Sequence, residues 1–174
     1  MRGNPTANPL RFAILCIVAT AFAQTPFTDP RDGKTYKTAK IGEQVWLAEN
    51  LNYNAKGSKC YDNKPENCEK YGRLYNWDMA IYVCPSGWHL PSKSEYETFD
   101  KDFSALPGGY GYFDGSFKNI GKIGYWWSDD DRNSYIAYFR FKPYDSDSTY
   151  WYDYDKSYLF SVRCVKDKPQ GEMK

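Results

Sequence analysis

The chain has 174 residues, and its 23 Lys and Arg stand against 22 Asp and Glu for a formal charge of +1. So balanced a charge gives no field to steer nucleic acid or an anionic membrane surface, and neither partner is expected. Aromatic residues are 19% of the chain, 17 of them Tyr, so rings must fill much of any core.

Arg2 and Arg11 lead into an apolar run from Phe12 to Ala23, which ends Ala21-Phe22-Ala23 before Gln24. That is the pattern of a secretory signal cleaved after residue 23, and the run is too short to span a bilayer as a helix. Lipidation at Cys16 is the weaker alternative, because bulky Leu15 stands where processing needs a small residue. Cleavage would leave 174 − 23 = 151 residues with a charge of 21 − 22 = −1 and no second apolar stretch to act as an anchor. Residues 24–174 are expected to form one domain with its core in about 29–167. An exported protein of the cell envelope, cell surface or medium follows.

A hairpin is expected first, with Lys34 to Thr38 and Gln44 to Leu47 as arms turned around Ile41-Gly42-Glu43. A helix is predicted from about Tyr71 to Val83, ended by Pro85 and Gly87. A second begins after Pro91, where Ser92-Lys93-Ser94-Glu95 reads as a capping box; Tyr96, Phe99 and Phe103 then share one face. Strands follow. In Ser134 to Lys142, Ala137, Phe139 and Phe141 alternate with Tyr138, Arg140 and Lys142, and the second set is expected to face water. Between Thr149 and Asp155, Tyr150, Tyr152 and Tyr154 lie opposite Trp151, Asp153 and Asp155. Tyr158 to Val165 sends Phe160, Val162 and Cys164 to one side.

Without Cys16, four cysteines remain in a chain bound for an oxidising compartment, so disulfides are the default. Three connectivities are possible. Cys60 and Cys68 bracket the short polar loop YDNKPEN, and a chain with His89 as its one histidine does not supply the further ligands zinc would need. Pairing those two leaves Cys84 with Cys164, closing a loop of about 80 residues.

The segment WDMAIYVCPSGWHLPSKSEYETF resembles the W-x-x-A…C…G-x-x-L…E pattern of C-type lectin-like domains, in which the first-helix cysteine is bridged to the final strand. More closely, the chain resembles the Fibrobacter succinogenes major paralogous domain, a secreted bacterial relative of that fold. Six blocks in order carry the likeness: DGKTYKTAKIGEQVWLAENLNY, CYDNKPENCEKYGRLYNW, CPSGWHLPS, FSALPGG, GYWWS and FSVRCVKD. The resemblance implies a compact α+β domain, C-type lectin-like and disulfide-stabilised, with two helices, small antiparallel sheets, paired N- and C-terminal strands and a long loop region. In that frame Trp77, Ala80 and Leu90 are packing positions. The family's usual insert before FSALPGG is reduced here to Asp100-Lys101-Asp102. The Glu-Pro-Asn, Gln-Pro-Asp and Trp-Asn-Asp motifs of calcium-dependent sugar-binding lectins are missing, so calcium-mediated sugar recognition does not carry over.

No cofactor is expected. Asp129-Asp130-Asp131 could offer carboxylates to calcium, which takes six to eight oxygens, but a solvated turn between strands is the stronger reading and no metal is expected. His89 and Glu95 are expected to be structural, with Glu95 in the capping box. Tyr138, Arg140, Trp151 and Asp153 bring rings and hydrogen-bonding groups onto one sheet face, the best candidate for binding. The leading expectation is a non-catalytic binding module whose partner is a polysaccharide or a cell-envelope protein. The alternatives are an envelope protein without a small ligand and an enzyme related to formylglycine-generating proteins, which depend on reactive cysteines.

Overall fold

The computed structural model describes residues 25–98 and 106–168. The signal segment, Cys16, Phe99, Phe103 and the shortened insert lie outside them. Within that range the chain is mixed α/β, with short helices, small antiparallel sheets and two disulfides. No helix among the described residues is long and apolar enough to cross a membrane.

Strand β1 (Phe27–Thr28) pairs with β2 (Thr35–Tyr36), and β3 (Thr38–Ile41) forms the hairpin with β4 (Gln44–Leu47). The turn lies at Gly42-Glu43, with Ile41 opposite Gln44. The second arm is as expected, whereas the first begins at Thr38, because Thr35 and Tyr36 are taken by β1.

The helix expected over Tyr71–Val83 is shorter than that span, and a separate helix precedes it. Helix α1 (Pro65–Tyr71) ends at Gly72, whose φ of +77° is closed to other residues without strain. The chain then runs extended, Leu74 bridging Lys59 and Tyr75 bridging Phe160, before α2 (Trp77–Val83) starts. Asn76 caps α2 by accepting from the Met79 N–H at 3.0 Å. An Asn four residues past a helix-breaking Gly is a start signal that the expected Tyr71–Val83 span ran across.

After α2 come β5 (Trp88–His89) and α3 (Lys93–Glu97). Both halves of the expected capping box are present: Ser92 Oγ accepts from Glu95 N–H at 3.2 Å, and Glu95 Oε2 accepts from Ser92 N–H at 2.9 Å. Tyr96 is fully buried.

Strands β6 (Tyr110–Gly111) and β7 (Phe117–Lys118) pair with each other, while β8 (Ile123–Asp131), β9 (Ile136–Pro143) and β10 (Tyr150–Asp155) form a sheet with β9 in the middle. The last strand, β11 (Val165–Lys166), lies between β4 and β5 in the order β3-β4-β11-β5, so the N- and C-terminal strands pair as the resemblance implies. Upstream of it, residues 158–164 are mostly irregular, yet Phe160, Val162 and Cys164 all enter the main core with Leu47, Leu51, Ala80, Leu90, Trp127 and Phe139. A smaller cluster of Trp46, Tyr96, Trp126 and Val165 fills the other side of the β8–β10 sheet.

The disulfides join Cys60 to Cys68 and Cys84 to Cys164, spanning 8 and 80 positions. The long one ties the end of α2 to the last strand through a fully buried Cys164.

Candidate binding surface

The β8–β10 sheet has two faces, and the pairing register assigns side chains to each. Trp126, Arg140 and Trp151 lie across from one another, and Tyr138 pairs with Asp153. The four expected site residues therefore share one face, as alternation predicts.

That face does not lie open to water. Arg140 is 2% exposed, which overturns its expected orientation, and Tyr138 and Lys142 are half-buried. Helix α3 covers Tyr138 and Arg140. The Arg140 guanidinium donates to the Tyr96 carbonyl in the last turn of α3 and to Thr149 Oγ1, where a cation suits the negative helix end. The Tyr96 ring meets the edge of Trp151 at 5.6 Å. Lys93 holds its ammonium 4.0 Å above the Tyr138 ring and 5.5 Å from Trp151, and Asp153 takes a 2.8 Å hydrogen bond from Arg132. Strand alternation could not reveal this cover, because it reports which residues share a face and says nothing of what packs on it.

The opposite face carries the exposed rings. Tyr125, Phe141 and Tyr150 form one cross-strand row with near-parallel rings, 6.1 Å and 5.3 Å between centroids. Trp127, Phe139 and Tyr152 form the next, at 6.1 Å and 6.3 Å. The inner members sink against Phe160, which lies 4.3 Å from Trp127 and 4.6 Å from Phe139. Toward β10 the rows emerge, and Tyr150, Tyr152 and Tyr154 are 49%, 60% and 42% exposed. Alternate residues on a strand stand about 6.7 Å apart, so these three rings make a ladder.

The ladder continues past the sheet. Tyr154 meets Tyr158 edge-on at 4.3 Å, Tyr158 meets Tyr112 at 5.0 Å, and Tyr112 shares a 2.8 Å hydrogen bond with Tyr110. Desolvation, reinforced by the hydrogen bond with Tyr154, pushes the Tyr158 phenol up, so it stays protonated at neutral pH. Tyrosine alternation in Thr149–Asp155 was visible in the sequence. Which side of that strand the domain covers was not.

Asp129, Asp130 and Asp131 lie at the end of β8, not in a turn, where the pairing with β9 shifts register between Trp127 and Asp131 and the carboxyls of Asp129 and Asp130 stand side by side. Asp130 accepts from the Lys93 N–H at 2.6 Å, and Asp131 holds Lys156 at 2.7 Å. Desolvation, then the charge of Asp130 beside it, raises the Asp129 carboxyl to about 6 although the residue as a whole is exposed. Among the described residues no group of three or more His, Cys, Asp or Glu side chains is placed to hold a metal ion.

His89 sits in a clamp. Its Nδ1 lies 2.6 Å from Asp167 and its Nε2 3.1 Å from Glu95. The hydrogen bond with Glu95, aided by the one with Asp167, raises the imidazole to about 9 against partial burial, so it is a cation at neutral pH. Burial opposes ionisation of Glu95, but hydrogen bonds from His89 and from Ser92 N–H and Oγ outweigh it and bring the carboxyl to about 2. An imidazolium held by two carboxylates is a poor general base. It ties β5, the cap of α3 and the residue after β11 into one corner.

Residues 39–102 match the family model of the Fibrobacter succinogenes major domain, the family that the sequence blocks resemble. The match takes in the hairpin and the helical segment; FSALPGG, GYWWS and FSVRCVKD lie beyond it. Comparison with curated proteins and with solved structures gives no match.

Proposed function

We propose, on the premise that this chain carries a Fibrobacter succinogenes major domain over residues 39–102, that it is an exported, non-catalytic binding module with a C-type lectin-like arrangement. Its ligand surface is the tyrosine face of the β8–β10 sheet, and its ligand class is polysaccharide. The observation that carries this reading is the run of Tyr150, Tyr152 and Tyr154, rings standing in water and edged by hydroxyls, into the half-buried Tyr158 and Tyr112. The C–H faces of pyranose rings stack on such surfaces while their hydroxyls bond to the phenols, and tyrosines do this at little cost in side-chain entropy. Two disulfides fit an oxidising compartment. The pairing of all four described cysteines withholds the thiols that a formylglycine-generating activity needs.

The test is retention on insoluble cellulose, xylan and bacterial cell-wall fractions, repeated with a Tyr150→Ala, Tyr152→Ala double variant. Retention on at least one glycan, lost in the variant, is expected. No retention of the unmodified protein on any of them refutes the polysaccharide reading.

A further inference from the structure

Away from the sheet, a cleft of about 530 Å³ opens between β2, residues 48–52 and the end of α1. Its size falls within the range of small-ligand sites, and its walls are fixed. The buried Asn50 side chain donates to the carbonyls of Tyr71 and Leu106 at 2.8 and 3.1 Å and accepts from the Trp126 indole at 2.8 Å. Gly72 lies so close that a Cβ there would stand 2.7 Å from Asn50 Cβ. The Cys60–Cys68 disulfide anchors the α1 wall. On the facing wall Lys37 N–H donates to Glu49 Oε2 at 2.9 Å, and Tyr36 accepts from Asn52 N–H at 3.1 Å.

The charges in the cleft are unevenly committed. Lys34 gives its ammonium to the Asn52 carbonyl at 2.6 Å. Lys37 and Lys70 make no ion pair among the described residues, and Lys70 lies 5.0 Å from the Tyr71 ring centroid. Glu49 and Glu69 also line the space, as do Thr35 and Tyr71. Two ammoniums without an ion-pair partner among the described residues call for an anion; two carboxylates on the same lining call for hydroxyl donors and would repel an anion that brought none.

We propose that this cleft is a second ligand site, for a carboxylated saccharide unit, its carboxylate drawn by Lys37 and Lys70 and its ring hydroxyls bonded to Glu49 and Glu69. The site stands apart from the tyrosine face and does not depend on it. Its walls join blocks far apart in sequence, which is why no motif announced it.

The test is titration of the 15N-labelled full chain with galacturonate, with glucose as the uncharged control and acetate as the anion without hydroxyls. Expected are saturable shifts of the Thr35, Lys37, Glu69 and Gly72 amides with galacturonate alone, and about tenfold weaker binding in Lys37→Ala, Lys70→Ala, equivalent to about 1.4 kcal/mol. Both lysines are exposed, so the variant should keep its fold and an unchanged spectrum elsewhere. A Tyr152→Ala variant should bind galacturonate as the parent does. Shifts of equal size with glucose or with acetate, no saturable shift in the cleft, or undiminished affinity in the lysine variant would each overturn the proposal.

Discussion

Replacing Cys84 and Cys164 together by alanine removes the bridge that holds the end of α2 against the segment leading into β11. The two disulfides differ tenfold in the chain they close, 80 positions against 8. In the chain-entropy account the unfolded state gains about 4.5 kcal/mol of freedom when the long loop opens and about 2.5 kcal/mol when the short one does. The long bridge also sits in packed surroundings: Cys164 is fully buried among Leu47, Ala80 and Trp127, so the lost sulfur adds a small cavity penalty. Urea unfolding of the two double variants, Cys84→Ala with Cys164→Ala and Cys60→Ala with Cys68→Ala, gives both quantities. The long-bridge variant should lose about 2 kcal/mol more stability than the short-bridge one, and its m-value should rise because its unfolded chain expands further. A short-bridge loss equal to or larger than the long-bridge loss would refute the loop-entropy reasoning.

The His89 clamp makes stability depend on pH at both ends. The raised imidazole contributes fully below its unfolded value near 6.5 and loses that contribution as pH climbs through about 9; the lowered Glu95 contributes above its unfolded value near 4.5 and loses it as pH falls toward about 2. With the His89 side chain 40% exposed, solvent screening holds its share to about 1 kcal/mol. Thermal melts should therefore peak between about pH 5 and 6.5, and His89→Gln should flatten the alkaline limb without touching glycan retention. Gly124→Ala would put a Cβ 1.9 Å from the buried Trp126 ring, so overpacking should cost about 3 kcal/mol in chemical unfolding, with Trp126 fluorescence shifted. Arg140→Met should cost about 1–3 kcal/mol by leaving the Tyr96 carbonyl and Thr149 hydroxyl without the guanidinium. It should leave glycan retention unchanged; lost retention in a folded variant would return Arg140 to the binding surface.

Local signals transferred well from sequence to structure. The Ser92–Glu95 capping box, the hairpin turn at Gly42, the alternation in β9 and β10 and both disulfide pairings all depend on neighbours in the chain or on cysteine arithmetic, and each is found. The helix expected over Tyr71–Val83 starts too early because its apolar spacing runs through Gly72, whose positive φ ends α1, and across the extended residues before Asn76. Strand β8 escaped notice behind its aspartates. Arg140 shows the limit most clearly. A charged residue alternating with Phe139 and Phe141 reads as solvent-facing until α3, more than forty residues earlier, closes over it and offers a carbonyl. The alternation of β9 and β10 was thus legible, and the cover that α3 lays on one side of them was not. The cleft was not legible at all, since its walls meet only in the fold.

The most direct test of the central claim compares retention on cellulose, xylan and cell-wall glycan by the unmodified chain, by Tyr150→Ala with Tyr152→Ala, and by Tyr138→Ala with Trp151→Ala. The account predicts that the first double variant loses retention, and that the second, altered on the face beneath α3, keeps it as long as it remains folded. Retention that survives loss of the exposed tyrosines and disappears with Tyr138 and Trp151 would contradict it.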